Sequence, residues 1–434
     1  METIYALSSG GLPSGVAVVR VSGPGAGDAV KALSGSFPEA REAALRSIRS
    51  RNDMEIDRGL VLWFPGPGSF TGEDVAEFHL HGGRAVVDRL LEELSGFDGF
   101  RLAEAGEFSK RAFANGKFDL TEAEGLADLI ASQTEAQRIL ALSQASGALK
   151  GVYEGWQKRL LHARAMIEAE IDFTDEEDVP GSVSDRVWQD MSALADEMRR
   201  HLAGADRARA VRDGFRIVII GAPNAGKSSL LNALAGSDVA IVSDIPGTTR
   251  DAVESRLSIG GQLVVITDTA GIRDAGDAIE TEGIRRALVK AGEADLVLHL
   301  SPDGSWEAIE DLGDVPVWRI VSKGDIKNAG FDSDALSISV RQDDGLDELL
   351  NRLGSHLADS VGNDVSSLPT RQRHIENVRS ALSGLRNATE NGTMPLELRA
   401  ESLRLSAYSL GRITGQFGVE DVLGVIFSEF CIGK

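Results

Sequence analysis

The sequence predicts a multidomain chain of mixed α/β and α class: an α+β N-terminal unit, a discontinuous helical domain, and a P-loop domain with a doubly wound sheet inserted in it. Three observations predict it. Gly221-Ala222-Pro223-Asn224-Ala225-Gly226-Lys227-Ser228 lies between a β-branched run, 215–220, and an apolar helix start, 229–234. That strand, glycine-rich turn and helix form the context a phosphate-binding loop requires. Helical periodicity occurs on both sides of this block, at 119–203 and again after about 365. With 434 residues, two or three domains are expected.

The elements follow in order. Thr3 to Leu7 and Val16 to Val21 read as strands joined by the turn-rich segment 8–15. A helix is expected from Asp28 to Leu33, and further strands at Leu60 to Phe64 and Val75 to Leu80. Pro65 to Asp74 between them is a long loop. Val86, Leu90, Leu91 and Leu94 share one helix face. His79 and His81 would share a strand face beside Glu77, but no third metal ligand is apparent. Leu126, Leu129 and Ile130 mark a helix, and Trp156, Leu160, Ala163, Ile167 and Ile171 trace a long amphipathic one. It ends in the acidic stretch 172–178, and another helix is expected from Ser184 to Ala203. Leu263 to Thr267, Leu296 to Leu300 and Pro316 to Val321 are the further strands of the P-loop unit. Ile375, Val378, Leu382 and Leu385 restart the helical pattern, which closes on an apolar face from Val419 to Phe430. The expected boundaries are 1–117, 118–213, 214–362 and 363–434, the second and fourth segments forming one helical domain.

Composition narrows the partners. Apolar content of 42% and charged content of 26% are ordinary for a soluble globular protein. No apolar run reaches a membrane span, and the N-terminus lacks the features of a signal peptide. A single cysteine, Cys431, rules out an internal disulfide and fits a cytoplasmic location. The net charge of −22 argues against nucleic-acid binding over the whole surface. Any RNA contact would use local basic patches, for which 41–51, 207–216 and 371–374 are the candidates, or a partner's surface.

In the P-loop, Gly221 and Gly226 let backbone N–H groups converge on phosphate oxygens. Lys227 supplies a positive charge, and the Ser228 hydroxyl is a Mg²⁺ ligand candidate. Asp268-Thr269-Ala270-Gly271 closes a strand, where an aspartate can hold the Mg²⁺ water shell and a glycine N–H can approach the γ-phosphate. Thr249, in Pro246-Gly247-Thr248-Thr249-Arg250-Asp251, occupies a switch position and can reach Mg²⁺. Ser322-Lys323-Gly324-Asp325 places a carboxylate where guanine offers two N–H groups and adenine does not. The order of these segments predicts a GTPase, with Ser229, Asp244 and Ala225 within the nucleotide contacts. Ile272 stands where a water-positioning glutamine is found in Ras-type enzymes, so Glu280 is the candidate catalytic residue. No arginine finger is evident. The Asn224 side chain, with carbonyls of Ser243, Ile245 and Thr248, could instead hold a monovalent cation beside the phosphates.

The chain resembles the MnmE (TrmE) family of tRNA-modification GTPases over essentially its full length. The motifs that carry the resemblance are Gly15 to Gly23, Phe70 to Glu77, Gly106 to Phe113 with Asn115-Gly116-Lys117, the GTPase segments, and the terminal Phe430-Cys431-Ile432-Gly433-Lys434. The resemblance implies a Ras-like GTPase domain and a homodimer formed through N-terminal domains that bind a tetrahydrofolate. The folate would be 5,10-methylenetetrahydrofolate, with 5-formyltetrahydrofolate as an analogue. Arg20, Glu77, Lys117 and Lys434 would contact it. It also implies a flavin- and NADH-dependent partner, MnmG, which alone carries FAD, in an assembly of two copies of each. Together they add a carboxymethylaminomethyl or aminomethyl group at C5 of the wobble uridine of certain tRNAs. Asn224, Ser243, Ile245 and Thr248 are the implied K⁺ ligands, Ser228 and Thr249 the implied Mg²⁺ ligands, and Cys431 a functional residue. GTP hydrolysis would be K⁺-stimulated and accompany pairing of GTPase domains. One departure is Ser322, where the family has asparagine; guanine preference is expected to survive through Asp325, with lower nucleotide affinity. The competing reading is a regulatory switch GTPase, such as a ribosome-assembly factor, whose helical part is a binding module.

Overall fold

A computed structural model describes residues 2–172, 183–241, 254–268, 289–306, 312–325, 335–362, 365–391, 393–417, 420–428, 430, 432 and 433. The chain divides into two compact units. One comprises Met1–Ala127, Tyr153–Gln157 and Ala407–Lys434, the other Asp128–Val152 and Lys158–Ser406.

The first unit is built on a six-stranded sheet. Its strands are β1 (Thr3–Leu7), β2 (Ser14–Ser22), β3 (Ala44–Arg49), β4 (Glu55–Phe64), β5 (Val75–Gly82) and β6 (Phe100–Leu102), in the order β3-β4-β5-β2-β1-β6. All neighbours are antiparallel except β1 and β6. Side chains alternate across a strand. Val19, Val21, Ala76, Phe78 and Leu80 therefore enter the core, where α1 (Ala26–Ser34) and α2 (Arg84–Ser95) add Val30, Leu33, Leu90 and Leu94. The intervening residues Arg20, Glu77 and His79 take the opposite face, and Arg20 is paired in register with Glu77. Helix α3 (Glu107–Ala114) follows.

The chain end belongs to the same unit. Leu120 and Ala123, at the start of α4 (Leu120–Ala131), pack with Ile426, Phe427 and Phe430. Ile432 bridges to Ala105. Gly433, at φ 96°, lies so close to Leu7 that a Cβ there would sit 2.2 Å from its carbonyl oxygen. The tail is thereby laid along the end of β1.

The second unit holds the P-loop sheet. Strands β7 (Phe215–Gly221), β8 (Glu254–Ile259), β9 (Gln262–Asp268), β10 (Leu296–Ser301), β11 (Val317–Val321) and β12 (Leu336–Ser337) take the order β12-β11-β10-β7-β9-β8. Only β8 runs antiparallel to its neighbour. Near-continuous apolar strands such as Leu296–Ser301, buried throughout, are what a sheet covered on both faces demands. Ile217, Ile219, Ile266 and Leu298 pack with Leu230 and Leu234 of a helix, Lys227–Ala235, and Leu349 and Leu353 of another, Leu346–Val361.

The remaining helices are α5 (Glu135–Ala145), α6 (Ala148–Asp172), α7 (Val183–Ala203) and α8 (Ala205–Asp213), with further helices at Gln372–Glu390, Leu396–Thr414 and Glu420–Ser428. Arg159 of α6 pairs with Asp190 and Glu197 of α7. The N-terminal α+β unit, the helices and the doubly wound sheet are as the sequence predicts.

Several elements have no counterpart in the sequence reading: β3, β6, β8, β12, α3, α5, α8 and the helices Leu346–Val361 and Leu396–Thr414. In β3 only Ile48 is buried, so its apolar period is too weak to read. In α8 the buried positions are Ala205, Ala208, Ala210 and Val211, small residues that a hydrophobic pattern barely registers among the arginines.

Candidate functional site

The P-loop is shaped by three unusual backbone positions. Gly221 has φ 148°, and a Cβ would meet the Leu300 carbonyl oxygen at 2.3 Å. Gly226 has φ 90°, as the residue preceding the helix Lys227–Ala235, and Asn224 has φ 62°. Glycine is the residue that adopts such angles without a Cβ clash, and asparagine is among the few others that tolerate them. The loop therefore curls into the N-terminus of that helix, whose first N–H groups have no partner within the helix itself.

The side chains follow from this backbone. Lys227 is buried and its ammonium donates to the carbonyls of Gly221 (2.7 Å) and Ala222 (3.0 Å), folded over the loop mouth. Ser228 Oγ donates to Asp268 Oδ2 at 2.6 Å, so the two residues assigned to the Mg²⁺ region are brought together from separate parts of the chain. Both groups, a hydroxyl and a carboxylate, are hard oxygen donors of the kind Mg²⁺ takes. Ser322 Oγ donates to the Ala225 carbonyl and tethers the base-side loop to the P-loop. Asp325 Oδ1 accepts from Ser339 Oγ at 2.9 Å, and Gly324 N donates to Ile338 O. Ser229 is exposed at the start of the helix. The other predicted residues of this region (Ser243, Asp244, Ile245, Pro246, Gly247, Thr248, Thr249, Thr269, Ala270, Gly271 and Glu280) lie outside the described residues, as do Cys431 and Lys434.

A second constellation lies on the face of the first sheet opposite α1 and α2, where Phe108 of α3 packs with Ile4 and Ala6. Arg20 contacts Glu77 at 2.9 Å, with the Arg20 guanidinium 5.5 Å from the Phe70 ring centre and 5.6 Å from that of Phe108. The His79 hydrogen bond, at 3.1 Å, holds the Glu77 carboxyl below its ordinary range; burial opposes this, and Arg20 adds to it. Lys117 Nζ donates to the Pro67 carbonyl at 2.8 Å, on the 65–74 loop that also carries Phe70. That loop is fixed from within: Ser22 Oγ bonds Thr71 and Glu73, Arg111 pairs with Glu73, and Asn115 donates to Thr71 O. Sequence reasoning does not single out Phe70, Phe108 or the Glu73–Arg111 pair as site residues. A ring beside a cation gives no periodic signal in sequence.

Two features of the sequence take structural roles instead. His79 pairs with Glu77 and His81 with Asp57, so each imidazole has its own carboxylate and the pair shares no centre. Within the basic patches, Arg51 pairs with Glu93, Arg209 with Asp295, and both Arg212 and Arg371 with Asp128, while Arg49 pairs with the exposed Asp53.

A predominantly parallel sheet that delivers a lysine-serine helix start and a strand-end aspartate to one point defines a P-loop GTPase-class domain, here joined to an α+β domain and a set of helices. Comparison with known proteins gives the family. The model described as MnmE helical domain matches residues 120–431, and that described as GTP-binding protein TrmE N-terminus matches residues 3–117. The tRNA modification GTPase MnmE of Brucella anthropi is 53% identical over 435 residues, covering 100% of this chain and 98% of that protein. The protein of the same name from Brucella ovis is 52% identical over 434 residues, with the same coverage. Among solved structures, a GTP-binding protein from the archaeon Sulfolobus solfataricus in complex with GDP aligns at 14% identity over 63% of this chain and 86% of that one, with a TM-score of 0.26, too low to carry an argument. The chain belongs to the MnmE (TrmE) family.

Proposed function

We propose that this protein is a GTP hydrolase that takes part in tRNA wobble-uridine modification. The observation that carries the hydrolase reading is the meeting of Ser228 and Asp268 beside the Lys227 ammonium, in a chain that aligns end to end with tRNA modification GTPases. Lys227 neutralises phosphate charge, and the P-loop amides orient the phosphates. Asp325, held by Ser339, accepts the guanine N–H groups, and Ser322 keeps that loop attached to the P-loop. Mg²⁺ on Ser228 and Thr249 would supply charge neutralisation at the phosphates, and K⁺ on Asn224, Ser243, Ile245 and Thr248 would stand in for an arginine finger. Glu280 is the proposed residue for orienting water.

In this reading the residues around Arg20 and Glu77 on the first sheet take a tetrahydrofolate. Arg20 and Lys117 suit its glutamate carboxylates, and Glu77, ionised and hydrogen-bonded, suits the pterin N–H groups. Lys434 completes the site, and Cys431 acts from the same tail; Gly433, packed against Leu7, supports a tail that returns to this domain. A homodimer working with an FAD-bearing MnmG-type partner adds the aminomethyl-type group at C5 of U34 in the cytoplasm. Among the described residues no helix is long and apolar enough to cross a membrane.

Wobble-base analysis of tRNA from cells lacking the protein tests the whole: loss of the C5 substituent is expected, and a full complement of modified U34 would refute it. GTP turnover is expected to be faster in K⁺ than in Na⁺; equal rates would remove the cation assignment. The switch-GTPase alternative is favoured instead if 5-formyltetrahydrofolate does not bind.

A further inference from the structure

One turn of helix holds together the lead-ins of β7 and β9, and we infer that this turn, Thr134 to Gln137, is a positioning device for the Ser228–Asp268 pair. The inference rests on the GTPase reading above, which assigns no role to residues 128–145.

Strands β7 and β9 run parallel, with Phe215 opposite Val264 and Ile219 opposite Asp268. β7 runs on into the P-loop, and β9 ends on Asp268. A slip of one residue would carry Asp268 about 3.3 Å along the strand. It would also turn the Asp268 side chain to the other face of the sheet, and the 2.6 Å hydrogen bond from Ser228 would be lost. The relative register of these two strands therefore decides whether the two oxygen donors meet.

At the opposite ends of both strands stands the first turn of α5. Gln137 Nε2 donates to the carbonyl of Arg212 at 2.8 Å, in the segment that leads into β7. Ala136 N donates to the carbonyl of Gly261 at 3.1 Å, in the turn that opens β9. The first N–H groups of a helix have no partner inside it, which leaves Ala136 free to make this bond. The turn itself is fixed by a capping box. Thr134 Oγ1 accepts from Gln137 N, and Gln137 Oε1 accepts from the N–H groups of Gln133 and Thr134. The Gln137 amide thus uses its oxygen to build the turn and its nitrogen to bond the end of α8, three residues before β7 begins.

Two more contacts bear on the same point. Arg256 of β8 donates to Gln133 Oε1 at 3.2 Å, and Asp128 pairs with Arg212. Beside them opens a cleft of about 270 Å³, lined by Gln133, Gln137, Leu140, Arg212, Arg256 and Leu263. An open space supplies no contact atoms on that side. On the cleft side directed hydrogen bonds hold the turn, while on the other Ala136 packs against Leu140, Val211 and Val361.

Gln137→Glu in the full chain is the direct test. It keeps the capping acceptor and replaces the amide donor by a carboxylate facing the Arg212 carbonyl. The readouts are the affinity for a fluorescent GDP with Mg²⁺ and with EDTA, hydrogen exchange over 262–268, and the thermal midpoint. In Gln137→Glu the gain in affinity on adding Mg²⁺ is expected to fall about fivefold to tenfold, the scale of one directed hydrogen bond, with affinity in EDTA within about twofold of the parent. Exchange over 262–268 rises. Leu140→Ala, which removes buried packing from the same helix, lowers the midpoint and leaves the Mg²⁺-dependent gain intact. An unchanged gain in Gln137→Glu, or an equal loss in Leu140→Ala, overturns the inference. Should Gln137→Glu not fold, the Gln133→Ala/Arg256→Ala double variant is measured in its place: a reduced gain supports the inference and an unchanged gain overturns it. A parent protein that binds GDP equally well with Mg²⁺ and with EDTA overturns the inference, whereas one that neither binds GDP nor hydrolyses GTP would overturn the GTPase reading.

Discussion

Ser322 illustrates what one side chain decides. Its hydroxyl is short, yet it reaches the Ala225 carbonyl, and the Cβ that would be placed on Gly226 lies 3.5 Å from its own Cβ. The base-side loop and the P-loop approach closely enough for serine to span them. Ser322→Ala is expected to lower GDP affinity about fivefold to tenfold, since it leaves a buried carbonyl unpaired; a GDP titration checks it. His201 is a second case. Burial, with a smaller contribution from the His374 charge, pushes its imidazole down to about 4. Below pH 6.5 the unfolded chain takes up a proton that the folded chain refuses, so stability falls as pH drops towards 4. The loss from this group reaches about 2 kcal/mol by pH 5. Thermal midpoints measured from pH 7 to 5 are expected to fall less steeply in His201→Leu than in the parent.

At the scale of elements, backbone geometry matters more than side chains. Gly221 ends β7 at φ 148° against the Leu300 carbonyl of β10. A methyl group there must either part the two strands or twist the loop. Gly221→Ala is expected to cost about 1–3 kcal/mol and to abolish nucleotide binding, checked by thermal unfolding with and without GDP. The glycine was legible in the sequence through its motif. The neighbour that makes it obligatory was not, because Leu300 is 79 residues away in the chain. The elements that escaped the sequence reading share one physical trait. β3, β8 and α8 bury few or small residues, so their periodicity is faint. They are ordered by neighbours: β3 by its ladder with β4, β8 by its hairpin with β9, and α8 by packing such as Val211 against Leu140.

For the whole molecule, the question is how the proposed folate site and the P-loop are placed in one chain. The Arg20–Glu77 constellation and the P-loop belong to different compact units, so each is expected to be separable by mutation. Arg20→Ala should abolish 5-formyltetrahydrofolate binding while GTP turnover stays within about twofold of the parent, as sites without shared partners behave additively. Titration of the ligand beside a turnover assay checks both halves. The net charge of −22 is compatible with this arrangement, since Arg212, Arg371, Arg209 and Arg51 all serve internal carboxylates. These four arginines brace the fold.

The sequence by itself determined the domain classes, the P-loop and its order with Asp268 and Asp325, and the family. These are local signals: glycine where the backbone must curl, a lysine and a serine at fixed spacing, and apolar residues at helical or strand period. Only the tertiary structure decided that Ser228 meets Asp268, that Ser322 reaches the P-loop, that His79 serves Glu77, and that Gln137 bonds the end of the helix that precedes β7. Each of these is a hydrogen bond between groups whose distance depends on strand register and helix packing. No pattern along the chain encodes such a distance.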